Sequence, residues 1–577
     1  MGALLSQLFR RQAAPLLLEL DLAQPLLEER PATAQARYQA RRRLVLPTVV
    51  EGLRQAAGDP RVCGVLAKVG ARRMGFAQAQ ELRGAITAFR NSGKPAVAWC
   101  ETFGEMAAAT LPYYLASAFD EIWVQPSGEV GFVGVSVSSV FVAESLEKIG
   151  ARAQVGARHE YKNAPNMFTE RGFTAAHREA LEKVVASLAG QVVNGVAEGR
   201  RLPVEAVRDL VDRAPLAAED ARQGKLIDKL GYRDQVYASA LEPRKGATPQ
   251  LLFLQRYHRH EPVPKRLVRV VDRHRPVVAL VNGVGTIRLG RSGRGPSAAM
   301  GSDTVCAALR AAGKDARVRA VVFRVNSPGG SYVASDAIWR EVVRLREAGK
   351  PVIVSMGDVA ASGGYFVSAP ADLIVAQPGT ITGSIGVFGG KLSAGPLFAR
   401  LGIGHASVRE GLHARMMSAF DEFTEEELQV LSRWLDSVYD DFVAKVAAGR
   451  SMPADAVHEV AKGRVWTGAD ARERGLVDEL GGLERAAAVA RQRGGLRPDA
   501  ELVRYPQIPV PARLRPPRSS EDPQAALASL DPWAGLASVA LRLGLPAEGP
   551  LMMLPQPAAW ARGEPALQSL VQRLVQW

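Results

Sequence analysis

Cysteine is scarce. The 577 residues hold three, Cys63, Cys100 and Cys306, far apart and odd in number. Neither a disulfide framework nor a zinc cluster fits them, which suits a reducing compartment. Aromatic residues make up only 6%, too few for a platform that stacks single-stranded bases. No apolar run reaches about 18 residues, so no spanning helix is expected. At the N-terminus, Arg10 and Arg11 split two short apolar pieces. A secretory signal needs its charges first and an unbroken apolar core after them. The stretch from Leu16 to Leu22 reads instead as a first strand. One charge sign is in modest excess: Lys and Arg number 73 against 59 Asp and Glu, a net +14. The arginines are scattered, which describes an ordinary surface and excludes a nucleic-acid stripe. With 47% hydrophobic and 23% charged residues, most of the chain is expected to fold.

What is present is a repeat. DPRVCGVLAKV from Asp59 resembles DARVRAVVFRV from Asp315, and SGKPAVAW around Lys94 resembles AGKPVIVS around Lys350, both at an offset of 256 residues. YYLASAFDEIWVQPSGEVGFVGV then resembles YFVSAPADLIVAQPGTITGSIGV, with Pro126 opposite Pro378 at an offset of 252. AEGRRLP pairs with AAGRSMP, and AEDARQGKLIDKLG with GADARERGLVDELG. The chain therefore reads as two copies of one unit, 13–240 and 270–495, with a linker at 241–269 and a tail at 496–577.

Within each copy, short β-branched runs such as PVIVSM and DLIVAQ alternate with helical patterns such as LQVLSRWLDSVYDDFVAKV. That alternation predicts an α/β unit with a largely parallel sheet. Residues 283–301 are rich in Gly, Ser and Arg, but their glycines do not fit a phosphate-binding loop, so a mobile surface loop is expected. The tail is Pro-rich at YPQIPVPARLRPPR and then carries amphipathic segments, ALASLDPWAGLASVALRLGL and PALQSLVQRLVQW. These need a surface to cover them: the chain's own core, a neighbouring subunit, or peripheral contact with a membrane.

The copies differ where chemistry is expected. The second has AASGGYF, with Ser362 between a strand-like run and a helix start. A serine there sits beside free backbone N–H groups at the positive end of the helix dipole. A nucleophile next to an anion-stabilising amide is what acyl transfer requires. In the first copy the aligned position is near Thr110 and the glycine pair is gone. The second copy also has RVNSPGGS, a strand ending at Pro328, Gly329 and Gly330, against KVGARRMG in the first. By itself it is an ordinary tight turn. Beside Ser-Gly-Gly, an amide of Gly329 or Gly330 would complement that of Gly363 as a second oxyanion donor.

A serine nucleophile needs a base. His405 and His413 follow Ser362 by 43 and 51 residues, so a Ser-His-Asp triad is open on spacing, although both histidines sit in loop-like polar segments. The first copy offers Lys162, in EYKNAPNMF, whose matching position in the second copy, around Leu412 or His413, has no lysine. A buried lysine can act as a base at neutral pH, whereas an exposed one does nothing, and most lysines are exposed. The distribution argues the other way. The serine is missing from one copy and the lysine from the other, which suggests one composite site shared by the two.

Together, RVNSPGGS, VSMGDVAASGGYF, ITGSIGVFG and GRVWTGADARERGLVDELG in the second copy, with YYLASAFDEIW and the Tyr-Lys pair in the first, resemble the long, duplicated signal peptide peptidases, also called the protease IV family. The resemblance covers about residues 14–490. It implies two tandem crotonase-like, Clp-protease-like α/β domains followed by a helical, Pro-rich tail. It also implies a Ser-Lys endopeptidase acting on cleaved signal peptides and other apolar peptides, with no metal or cofactor, assembled as a homo-oligomer, typically a tetramer. Carried over by motif, Ser362 is the nucleophile, Lys162 the general base, Ser384 the hydroxyl that orients the lysine, and Gly363 and Gly330 the oxyanion donors. The counterpart of Ser384 in the first copy is near Phe132. The run after Lys162, Asn163-Ala164-Pro165-Asn166-Met167-Phe168, departs from the family's usual Ser-Ala and Glu-Pro-Phe. The family's membrane anchor is also missing from the sequence, so a cytoplasmic or peripheral inner-membrane location is expected. Two rivals remain: a crotonase-type acyl-CoA enzyme, and a non-catalytic peptide-binding scaffold.

Overall fold

In a computed structural model of the chain, the described residues are 15–29, 43–70, 74–243, 247–257, 275–293 and 299–506, with the backbone of 551–553. They divide into two compact units: Met1–Ser136 with Leu188–Arg273, and Val137–Ser187 with His274–Trp577. The segment Val137–Ser187, which the repeat assigns to the first copy, thus belongs to the second unit.

The first unit is built on a six-stranded, all-parallel sheet. Its strands run in the order Lys229–Leu230, Glu121–Val124, Ala96–Cys100, Val62–Lys68, Leu16–Asp21 and Gln250–Phe253. Leu16–Asp21 is the strand expected near the N-terminus. The edge strand Gln250–Phe253 comes from the stretch read as a linker. The second unit has an eight-stranded sheet. Its main path is Val465–Thr467, Ile381–Gly383, Val352–Ala361, Val318–Ser327, Val277–Val284 and Leu502–Arg504. Leu373–Ala376 and Glu479–Leu480 branch from Val352–Ala361. All these pairs are parallel except that between Val465–Thr467 and Ile381–Gly383.

Local sequence accounts for these elements. Val352–Ala361 is buried along nearly its whole length, as expected of a parallel strand covered on both faces. The long helix Glu425–Arg450 begins at a capping box, in which Thr424 Oγ1 accepts from Glu427 N and Glu427 Oε2 accepts from Thr424 N. Three glutamates in its first turn suit the positive end of its dipole.

One sequence expectation changes, and another falls outside the described residues. Residues 283–301 are not simply a loop: Thr286–Arg288 and Ala299–Gly301 are short strands paired in parallel. Three-residue strands punctuated by glycine carry no readable alternation. The amphipathic tail segments lie outside the described residues. The backbone of Leu551–Met553 pairs antiparallel with Gly329–Ser331. No helix among the described residues is long and apolar enough to cross a membrane.

Candidate active site

The site lies within the second unit, and three loops build it. The first is the exit of Val352–Ala361. Ser362 follows at φ +54°, and Gly363–Phe366 is a short helix. A non-glycine residue at positive φ is strained by roughly 1–3 kcal/mol and persists only where its surroundings hold it. Here Ser362 N donates to Gly383 O at 2.8 Å. The second loop follows Ile381–Gly383, where Ser384 also has positive φ, +51°.

The third loop brings the lysine. The strand Arg152–Ala157 pairs antiparallel with Phe388–Ser393, placing Ala157 opposite Phe388. Arg158 N then donates to Val387 O at 2.9 Å, and the Arg158 side chain reaches Ser432 and Asp436 on the long helix. Five residues beyond the strand, Lys162 points into the unit. It is 2% exposed, and Ser362 and Ser384 are 0% and 1% exposed. The altered segment after it does not open the site, because Asn163 and Ala164 are buried too.

Lys162 Nζ lies 3.0 Å from Ser362 Oγ, 3.0 Å from Ser384 O and 3.1 Å from Ser384 Oγ. No carboxylate is among these contacts. Burial alone pushes the amine down to about 7 from its ordinary 10.5, because an apolar surrounding disfavours the ammonium. A neutral amine has two N–H groups and one lone pair. The Ser384 carbonyl can only accept, so it takes one N–H, and Ser384 Oγ can take the second. The lone pair then faces Ser362 Oγ.

The glycines stand beside the serine. Gly363 opens its helix, so its amide has no intrahelical acceptor. A Cβ on Gly363 would be 2.7 Å from Ser335 Oγ and 3.2 Å from both Gly329 Cα and Gly330 N. The turn and the serine therefore approach as closely as side chains allow. Gly329 N donates to Ser327 Oγ at 3.2 Å, and Gly330 follows it in the same turn. Gly330 has φ +154° and a Cβ there would meet Ile287 O at 2.1 Å, so no other residue fits.

The structure thus brings together Ser362, Lys162, Ser384, Gly363 and Gly330. It does not bring in the histidines: His405 and His413 are exposed, and His405 stacks on Phe420. In the first unit, Thr110 bonds Gly134 O and Phe132 is a core side chain, so the corresponding positions there serve packing. Sequence reasoning missed Ser327 and Ser335, which lie against the glycines, and the turn Lys462–Arg464, which lies against the lysine loop. Gly463 and Arg464 open a quoted motif, and that glycine was the one signal of an unusual backbone.

The family model for peptidase family S49 matches residues 88–247 and 344–497. The chain is 31% identical over 455 residues to the chloroplastic serine protease SPPA of Arabidopsis thaliana, covering 78% of this chain and 66% of that one. It is 31% identical to Protease 4 of Haemophilus influenzae, covering 79% and 74%. A putative signal peptide peptidase SppA of Enterococcus faecium is 38% identical over 192 residues, 33% of this chain and 56% of that one. Among solved structures, a variant of ClpP1 from Listeria monocytogenes superposes with TM-score 0.23 at 12% identity, over 38% of this chain and 99% of that one, a likeness too slight to argue from. Two matched regions over more than half of the chain, and relatives aligned along nearly four fifths of it, establish that the chain belongs to peptidase family S49 and is a serine peptidase.

Proposed function

We propose that the chain is an endopeptidase that uses a Ser362–Lys162 pair. The observation that carries this reading is the buried amine 3.0 Å from the serine hydroxyl with no carboxylate to keep it charged. Ser362 Oγ attacks the scissile carbonyl carbon, and its proton passes to Lys162 Nζ. The carbonyl oxygen becomes an oxyanion held by the amides of Gly363 and Gly330. When the C–N bond breaks, the lysine ammonium gives its proton to the leaving amine. Water, deprotonated by the same amine, then hydrolyses the acyl ester and frees Ser362. Ser384 holds the amine so that its lone pair faces the nucleophile.

Extended apolar peptides, cleaved signal peptides among them, are the proposed substrates. Support comes from the name of the Enterococcus relative, a putative signal peptide peptidase. The proposed assembly is a homotetramer. Leu401, Val408, Leu412 and Met417 stand exposed in one stretch of the second unit, and neighbouring subunits would cover such a surface. Light scattering on the purified chain should give a mass near four times 61.9 kDa, and a monomer would remove the assembly from the proposal.

The catalytic reading is tested with an apolar peptide and a fluorophosphonate probe. Wild type should cleave and be labelled at Ser362. Ser362→Ala and Lys162→Ala should each lose about 10⁴-fold or more in kcat. Retained cleavage in both variants sinks the reading. Tight binding of a coenzyme A thioester would favour the acyl-CoA alternative.

A further inference from the structure

The lysine loop is held from outside itself. After the helix Ala454–Val460, the chain turns through two successive residues at positive φ, Lys462 at +52° and Gly463 at +81°. This turn bonds to both sides of the site. Lys462 O accepts from Tyr161 N at 3.2 Å, next to the lysine. Gly463 N donates to Ile385 O at 2.8 Å, and Arg464 O accepts from Ser384 N at 2.7 Å. Because Ser362 N is bonded to Gly383 O, a backbone chain runs from the nucleophile through the Ser384 loop and the turn to Lys162.

Side chains tighten the same joint. The Arg464 guanidinium lies over the Tyr161 ring at 4.6 Å and the Trp466 ring at 4.5 Å. Its Nη2 donates to Glu179 at 2.7 Å. Its buried Nε has no hydrogen-bond partner among the described residues, so the stacks and the one ion pair set its place. A Cβ on Gly463 would fall 2.5 Å from Lys162 N and Cβ. The turn is thus pressed against the lysine backbone, where nothing larger than glycine fits.

We propose that Gly463 and Arg464 are positioning residues for the peptidase reaction, holding the Lys162 amine at its distance from Ser362 and closing its loop to water. A lysine stem is rich in rotamer freedom, and a catalytic group must be held to within about 0.5 Å. Three contacts at the amine cannot do this if the backbone beneath it moves. The charged and titratable groups around the loop are Arg158, His159, Glu160 and Tyr161 on its own segment, Asp436 beside Arg158, Lys462 and Arg464 on the turn, Glu179 beyond Arg464, and Tyr439 and His458 against His159. Burial, not these groups, depresses the amine, so loosening the turn acts by admitting water.

The inference rests on the Ser-Lys reading, and the experiment separates the two. Lys162→Ala, Arg464→Ala, Arg464→Lys and Gly463→Ala are assayed across pH 5.5–10 on one apolar peptide, with thermal melting to identify folded variants. Arg464→Ala should lose about 10- to 100-fold in kcat at pH 7 with KM nearly unchanged. Its acid limb should move at least one unit alkaline, so that part of the lost rate returns near pH 9. Arg464→Lys keeps a cation for Tyr161 and Glu179 and should move the limb less. Gly463→Ala should lose more than Arg464→Ala. If Arg464→Ala keeps the wild-type kcat, or loses rate with its limb unmoved, the positioning role is wrong. Should Gly463→Ala not fold, the Arg464 pair decides alone. If Lys162→Ala stays active, the Ser-Lys reading itself fails, and the turn then has no base to position.

Discussion

At the scale of single residues, Lys162 links stability to activity with a definite sign. The unfolded chain binds a proton on this amine up to its ordinary 10.5, and the folded chain only up to about 7. Between those values the unfolded state holds the extra proton, so stability should rise with pH across this window and level off above it. Below pH 7 the cost of burying the amine is fully present. Lys162→Met removes that cost and should stabilise the protein by a few kcal/mol at pH 6–7, with the gain shrinking towards pH 10. Urea melts of the two proteins at both pH values check this, and a gain independent of pH contradicts it. In the proposed mechanism, activity runs through the same group. Because the base must be neutral, kcat should climb through an acid limb near pH 7, and an acid optimum argues against a lysine base. Ser362 and Ser384 were legible as candidates from their motifs. The burial of Lys162 was not, since the chain that covers it lies some 200–300 positions away.

Among the elements, the repeat proves to record structural devices. Lys94 Nζ bonds Ala56 O and Asp59 O in one unit, and Lys350 Nζ bonds Ala312 O, Gly313 O and Asp315 O in the other. Arg200 pairs with Asp228, which accepts from Ile122 N, and Arg450 pairs with Asp478, which accepts from Ile374 N. Tyr113 and Tyr365 each donate to a buried carbonyl, of Leu226 and Leu476. These residues tie helices to strand ends, so both copies need them at matched spacing. Asp478→Ala would leave the nearly buried Arg450 unpaired and free a strand amide. On the order of 2–3 kcal/mol should be lost, below the usual figure for a buried pair because Asp478 is partly exposed. Asp228→Ala should cost about the same, and chemical denaturation reads both. The alternation of strands and helices was legible for the same reason. The antiparallel pairing of Arg152–Ala157 with Phe388–Ser393 was not, because repeat boundaries do not encode which unit a segment packs with.

Taken as a whole, the molecule has two units with separate cores, one containing Leu18, Leu20, Val65 and Phe119, the other Val281, Phe323, Val354 and Phe442. The proposed nucleophile and base both belong to the second. Leu20→Ala, a cavity in the first core, should cost that unit about 3 kcal/mol. Below its melting temperature, kcat and the acid limb should match wild type, and calorimetry with a peptide assay tests the separation. The placement of Lys162 and Ser362 has a further effect on the newly made chain. Ser362 is synthesised 200 residues after Lys162, and Arg464 another 102 residues after that. At about 5–20 residues per second, the ribosome needs roughly 15–60 s to travel from the lysine codon to that of Arg464. Throughout that interval the nascent polypeptide lacks the proposed Ser-Lys pair with its positioning turn, so on that reading it emerges beside other unfolded chains without the means to cut them.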